Sequence, residues 1–283
     1  MLFSRRAAPD PRSDTVLGRR GANMASIGLR LNRVVQRVLP SLLIVASAPA
    51  ACAASDLDRP SGYVALMSNY VGRGLSQSVG NPSAQVEVNY YASSGWYAGL
   101  DVTTVNWVEK VYPGSNGRLE LDAYAGYRWI RGDWTLKGYA MRLEFPGHYP
   151  SGTKRPDTNE VVGFVGWRGL SAKLNYSVGD SFGTPDSRGS WYFDVGAGTA
   201  LGEKWYAAAH AARKQPRGRN PQTGVPNDIN AYNAYKIGLT RSLPRDFAVS
   251  FEQTWTTAEP DLYTLNGYRV AGSHFAVVLL KNF

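Results

Sequence analysis

The chain has 283 residues, is rich in Gly (30), Trp (8) and Tyr (17), and holds a single cysteine. That lone Cys52 excludes an internal disulfide framework and a cysteine-based metal cluster. The formal net charge of +9 does not argue for nucleic-acid binding. Residues 1–53 hold eight of the 31 basic residues and two of the 22 acidic ones, so the remainder carries 23 against 20.

The basic excess belongs to a leader, residues 1–53, that contains Arg5, Arg6, Arg12, Arg19, Arg20, Arg30, Arg33 and Arg37. Arg30, Arg33 and Arg37 form a basic n-region, residues 38–50 an apolar h-region, and Ala51-Cys52-Ala53 an A-x-A cleavage site, with Ala46-Ser47-Ala48 as a second candidate. Met24 is the expected true start. A membrane anchor is the alternative, but the apolar stretch is short and interrupted by Pro40 and Pro49. Pro49 also weakens a lipoprotein reading through Cys52. The mature protein is expected to be exported.

Beyond residue 54 no run approaches the roughly 18 apolar residues of a membrane-spanning helix. Periodicity of two recurs instead, the mark of strands whose successive side chains face opposite ways. After a short periplasmic lead (54–61), strands are expected at 62–71, 84–92, 96–105, 118–130, 134–145 and 160–167. Six more follow at 171–182, 190–201, 205–214, 231–242, 247–257 and 274–283. The clearest is 119–127, where Leu119, Leu121, Ala123 and Ala125 alternate with Glu120, Asp122, Tyr124 and Gly126. Strands one and five alternate poorly. Residues 73–82 read as a loop from their Gly and Pro content.

Connections alternate strictly between long (after odd strands) and tight (after even strands). Strands of about ten residues with one set of short turns and one set of long loops are the pattern of an outer-membrane barrel. The expected fold is all-β: an antiparallel up-and-down transmembrane β-barrel of about 12 strands over 62–283, with both termini in the periplasm. An exported soluble sandwich or small periplasmic barrel has strands averaging about five to six residues and does not require the alternation. Aromatics at strand ends (Trp96, Tyr127, Trp129, Trp134, Trp191, Trp205, Phe247, Trp255) fit interfacial girdles. The last strand places Phe275, Val277, Leu279, Lys281 and terminal Phe283 on one parity, which resembles the outer-membrane insertion signal read by the barrel-assembly machinery; Lys281 departs from it but can snorkel.

Asn69-Tyr-Val-Gly-Arg-Gly-Leu-Ser-Gln77 with Gly80 and Pro82, then Gly95-Trp-Tyr-Ala-Gly99, then Glu120-Leu-Asp-Ala-Tyr-Ala-Gly-Tyr127, together resemble the Gcw_chp family, described as TorF-type porins of proteobacteria. The similarity spans about 61–283. Gly72 stands where a bulky residue often precedes Arg-Gly. The resemblance implies an outer-membrane barrel and a porin role. It supplies no agreed substrate and no catalytic residues.

By parity, the lumen-facing set includes Glu87, Asp101, Glu120, Asp122, Arg128, Lys137, Lys173, Asp194, Lys236 and Glu252. Both signs are present, so the set either lines a polar route for small solutes or pairs across a closed lumen as a structural brace. At twelve strands any pore is narrow. The loop at 146–158 either folds inward as a constriction or caps the mouth. Arg213, Lys214, Arg217 and Arg219 form a basic patch expected outside, suited to anionic solutes or lipopolysaccharide phosphates, or simply a solvated loop.

An enzyme is the third reading. The histidines are His148, His210 and His274, and only Ser273-His274 places a Ser beside one, on opposite faces. A triad assembled from distant strands would leave no local signature. No zinc spacing, phosphate-cradling loop or nucleotide fingerprint is present, so no cofactor or metal is expected. The expected partners are outer-membrane lipid, lipopolysaccharide and small solutes, and not nucleic acid. The favoured function is a channel for passive diffusion of small polar solutes or ions. The alternatives are a structural or surface-interaction barrel with a closed lumen, or a hydrolase.

Overall fold

Twelve strands close on themselves in the computed structural model, which describes residues 57–283; the expected leader and cleavage site lie outside the described residues. They are β1 (Pro60–Met67), β2 (Ser83–Tyr91), β3 (Trp96–Thr104), β4 (Leu119–Arg131), β5 (Trp134–Glu144) and β6 (Thr158–Trp167). The second half is β7 (Leu170–Ser177), β8 (Trp191–Leu201), β9 (Trp205–Gln215), β10 (Tyr232–Ser242), β11 (Phe247–Thr256) and β12 (Ser273–Asn282). Every strand pairs antiparallel with its sequence neighbours. The barrel closes where β1 meets β12, from Tyr63 opposite Asn282 to Met67 opposite Val278.

The alternation of the sequence becomes two walls. Val86, Val88, Leu100, Leu119, Leu174, Phe193, Ile237 and Phe251 are all exposed, and their sequence neighbours point inward. An exposed apolar belt of this extent is stable against hydrocarbon, not water. Trp96 packs edge-on against Tyr127 at 5.5 Å, and Trp134 lies 5.9 Å from Trp167, at the end that carries the tight turns. These pairs form the aromatic girdle of that rim.

Three expectations are refined. Strand β1 ends at Met67, because Ser68 hands its amide to the Val277 carbonyl and the chain then turns inward. Strand β7 ends at Ser177, where the next loop takes over its hydrogen bonds. Strands β1 and β5 alternate poorly because their inner faces are themselves apolar: Ala65 and Met67 in β1, Met141 and Leu143 in β5. These residues sit under loops that fill the long-loop half of the lumen. A five-residue helix, α1 (Trp107–Val111), and Phe145 and Phe182 from two further connections join that filling, with Trp107 5.1 Å from Phe145.

Candidate functional site

The first long connection builds the site. Val71 pairs with Ser76 and Gly72 with Leu75, making a two-residue hairpin whose turn is Arg73-Gly74. Both turn residues have positive φ, 44° and 88°. Such mirror-image turns match the strand twist of short hairpins. Gly fits this backbone freely, whereas an arginine held there costs on the order of 1–2 kcal/mol. Strain of this kind is kept where the side chain has work to do.

That work is across the lumen. Arg73 Nη1 and Nη2 donate to Glu160 Oε1 and Oε2 on β6 at 2.9 and 2.7 Å. The guanidinium stacks over Phe182 and Tyr192, 5.6 and 5.4 Å from the ring centres. Tyr70 OH donates to Glu120 Oε1 on β4 at 3.2 Å, and Tyr232 OH on β10 donates to the Arg73 carbonyl at 2.8 Å. A Cβ on Gly74 would lie 2.6 Å from Thr256 Cγ2 and 2.7 Å from Ala234 Cβ. The hairpin therefore touches inward-facing residues of β4, β6, β8, β10 and β11, and it crosses the barrel interior.

Its backbone is tied at both flanks. Ser76 and Ser78 hydroxyls donate to Asn69 Oδ1 at 2.6 and 3.1 Å, and the Ser76 amide donates to the Val270 carbonyl of the last long loop. Asn106 and Trp107 amides donate to the Gln77 carbonyl. The loop at 146–158, weighed above as a constriction, stays at the rim instead: His148 is exposed, and Phe145 anchors the segment against Trp107.

The charged candidates divide by wall. Glu87 sits directly opposite Asp101, and Asp101 opposite Asp122, so three carboxylates form a lateral row across β2, β3 and β4, with Glu120 two residues along. Glu87 and Asp101 take hydrogen bonds from neutral donors: Asn89 Nδ2 to Glu87 at 2.6 Å, and Gln85 Nε2 and Thr103 Oγ1 to Asp101 at 2.6 and 2.8 Å, while Asp122 Oδ1 is buried with no hydrogen-bond partner among the described residues. Like charges directly across a ladder are unfavourable. The opposite wall carries Lys173 (β7), Asp194 (β8), His210 and Lys214 (β9), Lys236 (β10) and Glu252 (β11). There His210 Nδ1 is 3.1 Å from Asp194 Oδ1, and Lys236 Nζ donates to Glu252 at 3.3 Å. Nearer the tight-turn rim, Arg128 stacks on Tyr91 at 4.4 Å and Lys137 lies over Phe164 at 5.6 Å.

One expectation is corrected. Lys214 does not belong to the external basic patch: it is 3% exposed and points inward over Phe182, while Arg213, its neighbour on the strand, and Arg217 and Arg219 remain outside. Adjacent strand residues must face opposite ways, so parity alone carried this signal. Arg73, Glu160, Tyr70 and His210 are interior residues absent from the expected set. Glu160 shares parity with inward-facing Val162, which marks it; nothing local marks Arg73 except its place beside Gly74.

None of the three histidines reaches the lipid face: His148 is at the rim, His210 bonds Asp194, and His274 is buried with Nε2 2.9 Å from the Val270 carbonyl oxygen.

The family model Gcw_chp, described as a bacterial protein of unknown function, matches residues 50–283. The chain belongs to this family. No curated protein matches it. Among solved structures, NanC porin shares 11% identity at a TM-score of 0.48, covering 78% of this chain and 97% of that one. KdgM porin shares 7% at 0.46 over 79% and 99%, and OccAB3 of Acinetobacter baumannii shares 8% at 0.39 over 77% and 59%. These are likenesses of fold. In this Gcw_chp chain, the segment 69–82 that carries the resemblance is the inward hairpin and its ties.

Proposed function

We propose that the protein is an outer-membrane channel for passive diffusion of small polar solutes or ions, narrowed near its outer mouth by the inward hairpin. The observation that carries this reading is the interior charge arrangement. A carboxylate row on β2–β4 faces a wall with Lys173, Lys214 and Lys236 on strands half a turn of the barrel away. A brace would pair these charges with each other. Instead Glu87 and Asp101 take their hydrogen bonds from neutral side chains, which leaves a polar, field-bearing interior of the kind that lines solute routes.

With the long loops outside, as in such barrels generally, Arg213, Arg217 and Arg219 face the lipopolysaccharide layer. Planar-bilayer recording of purified mature protein tests the proposal. Conductance steps above background are expected; their absence from a heat-modifiable, folded sample would overturn it.

The second reading, a closed structural or surface-interaction barrel, is favoured by the buried cap of Trp107, Phe145 and Phe182 over the hairpin. The same recording decides between the two.

A further inference from the structure

A cavity of about 40 Å³ lies beneath the hairpin tip, against strands β7 to β11. It is larger than the roughly 10–15 Å³ that a single water needs. Its basic side chains are Arg73, Lys173 and Lys236 against one carboxylate, Asp194, and the His210 ring and the Thr254 hydroxyl add polar groups.

Most of these groups are already engaged. Arg73 holds Glu160, Lys236 holds Glu252, and His210 holds Asp194. Lys173 differs. It is 9% exposed, lines the cavity, and its ammonium has no hydrogen-bond acceptor among the described residues. Asp194 stands opposite it in the ladder but gives its Oδ1 to His210. Lys214, outside the cavity lining, is likewise buried, its Nζ over the Phe182 ring and without a hydrogen-bond partner among the described residues. With Arg73 and Lys236 engaged by their own carboxylates, Lys173 faces Asp194, whose Oδ1 is already taken by His210. The Lys173 side chain is mostly removed from solvent, and its ammonium brings three donors to the cavity with no protein acceptor among the described residues.

We propose that this cavity is a binding site for a small monoanion, a chloride ion or the carboxylate group of a small organic acid, seated on the Lys173 ammonium. The inference rests on the channel reading for access, since the anion reaches Lys173 through the lumen. It makes the outer half of the route a place where anions pause, opposite a wall that attracts cations.

Line broadening of ³⁵Cl⁻ and of ¹³C-formate by the folded barrel in detergent reads binding without conduction. Saturable broadening is expected for at least one of the two, and competition between them shows whether chloride or carboxylate is preferred. Lys173→Gln should weaken the effect about tenfold or more, as loss of one charge-assisted contact does, while heat-modifiable migration confirms folding. Should Lys173→Gln fail to fold, Asp194→Asn removes the opposing carboxylate and must tighten binding instead. No saturable broadening with the wild-type protein, or equal broadening in Lys173→Gln, would overturn the site. Binding without conduction would leave the site standing and sink the channel; conduction without binding does the reverse.

Discussion

Arg73 and Glu160, 87 residues apart in the chain, meet in a two-pronged ion pair of 2.9 and 2.7 Å, with side chains only 5% and 1% exposed. Asn175 Nδ2 also donates to Glu160, at 2.9 Å. Breaking a buried pair by removing one partner typically costs about 3–5 kcal/mol, because the remaining charge is stranded. Arg73→Gln or Glu160→Gln alone should therefore loosen the hairpin and enlarge single-channel conductance. The double variant should lose less stability than the two single losses added together. A double-mutant cycle by urea unfolding measures this, and strict additivity would mean that the pair does not latch the hairpin.

The turn beneath that pair makes a second prediction. Gly74→Ala places a Cβ 2.6 Å from Thr256 and 2.7 Å from Ala234, at a φ of 88° that side chains rarely adopt. The barrel wall does not depend on this residue, so folding and heat-modifiable migration should persist. The hairpin tip must move, and conductance should rise as in the Arg73 variants. Conductance equal to wild type would show that the tip does not set the narrow point.

The carboxylate row gives a test with two signed outcomes. Glu120→Gln with Asp122→Asn should shift reversal potentials in a salt gradient toward anion preference. Since Asp101 and Asp122 oppose each other directly, relieving their repulsion should leave unfolding stability unchanged or slightly raised. Unchanged selectivity together with a loss of stability would assign the row a structural role.

At the rim, Lys154 donates to Asp180, and the Ser187 amide donates to the same carboxylate at 3.0 Å. Partial burial works to raise the Asp180 pKa, but these hydrogen bonds outweigh it and hold the carboxyl below the usual carboxylate range. A depressed folded value means that the contribution is complete above the unfolded pKa of about 3.9 and is lost as pH falls through the folded one. Hydrogen-exchange protection factors in 178–190, which correct for the intrinsic pH dependence of exchange, should accordingly be the same at pH 7 and pH 5 and fall only below about pH 4. Asp180→Asn should abolish that step, and loosening already at pH 5 would contradict the assignment.

The wall was legible in the sequence because lipid and lumen impose opposite chemistries on alternate residues. Glu120 and Asp122 face inward, and Leu119, exposed on the lipid side, faces outward, as parity requires. Strand β5 was harder to read because its inner residues Met141 and Leu143 pack against loops, not water. The inward turn of 68–82 was not legible. Gly and Pro mark a loop but not its direction, and that direction depends on Glu160, which is distant in sequence. Lys214 departs from the basic patch for a simpler reason: it lies near Arg217 and Arg219 in sequence, but strand parity turns it inward.

The central proposal is that the hairpin narrows a conducting lumen. The most direct measurement is single-channel conductance in planar bilayers of the wild-type protein beside a variant in which residues 70–77 are replaced by a short Gly-Ser link. Small steps are expected for the wild type and severalfold larger steps for the variant. Absence of steps in both folded proteins, or equal steps in the two, would contradict the proposal.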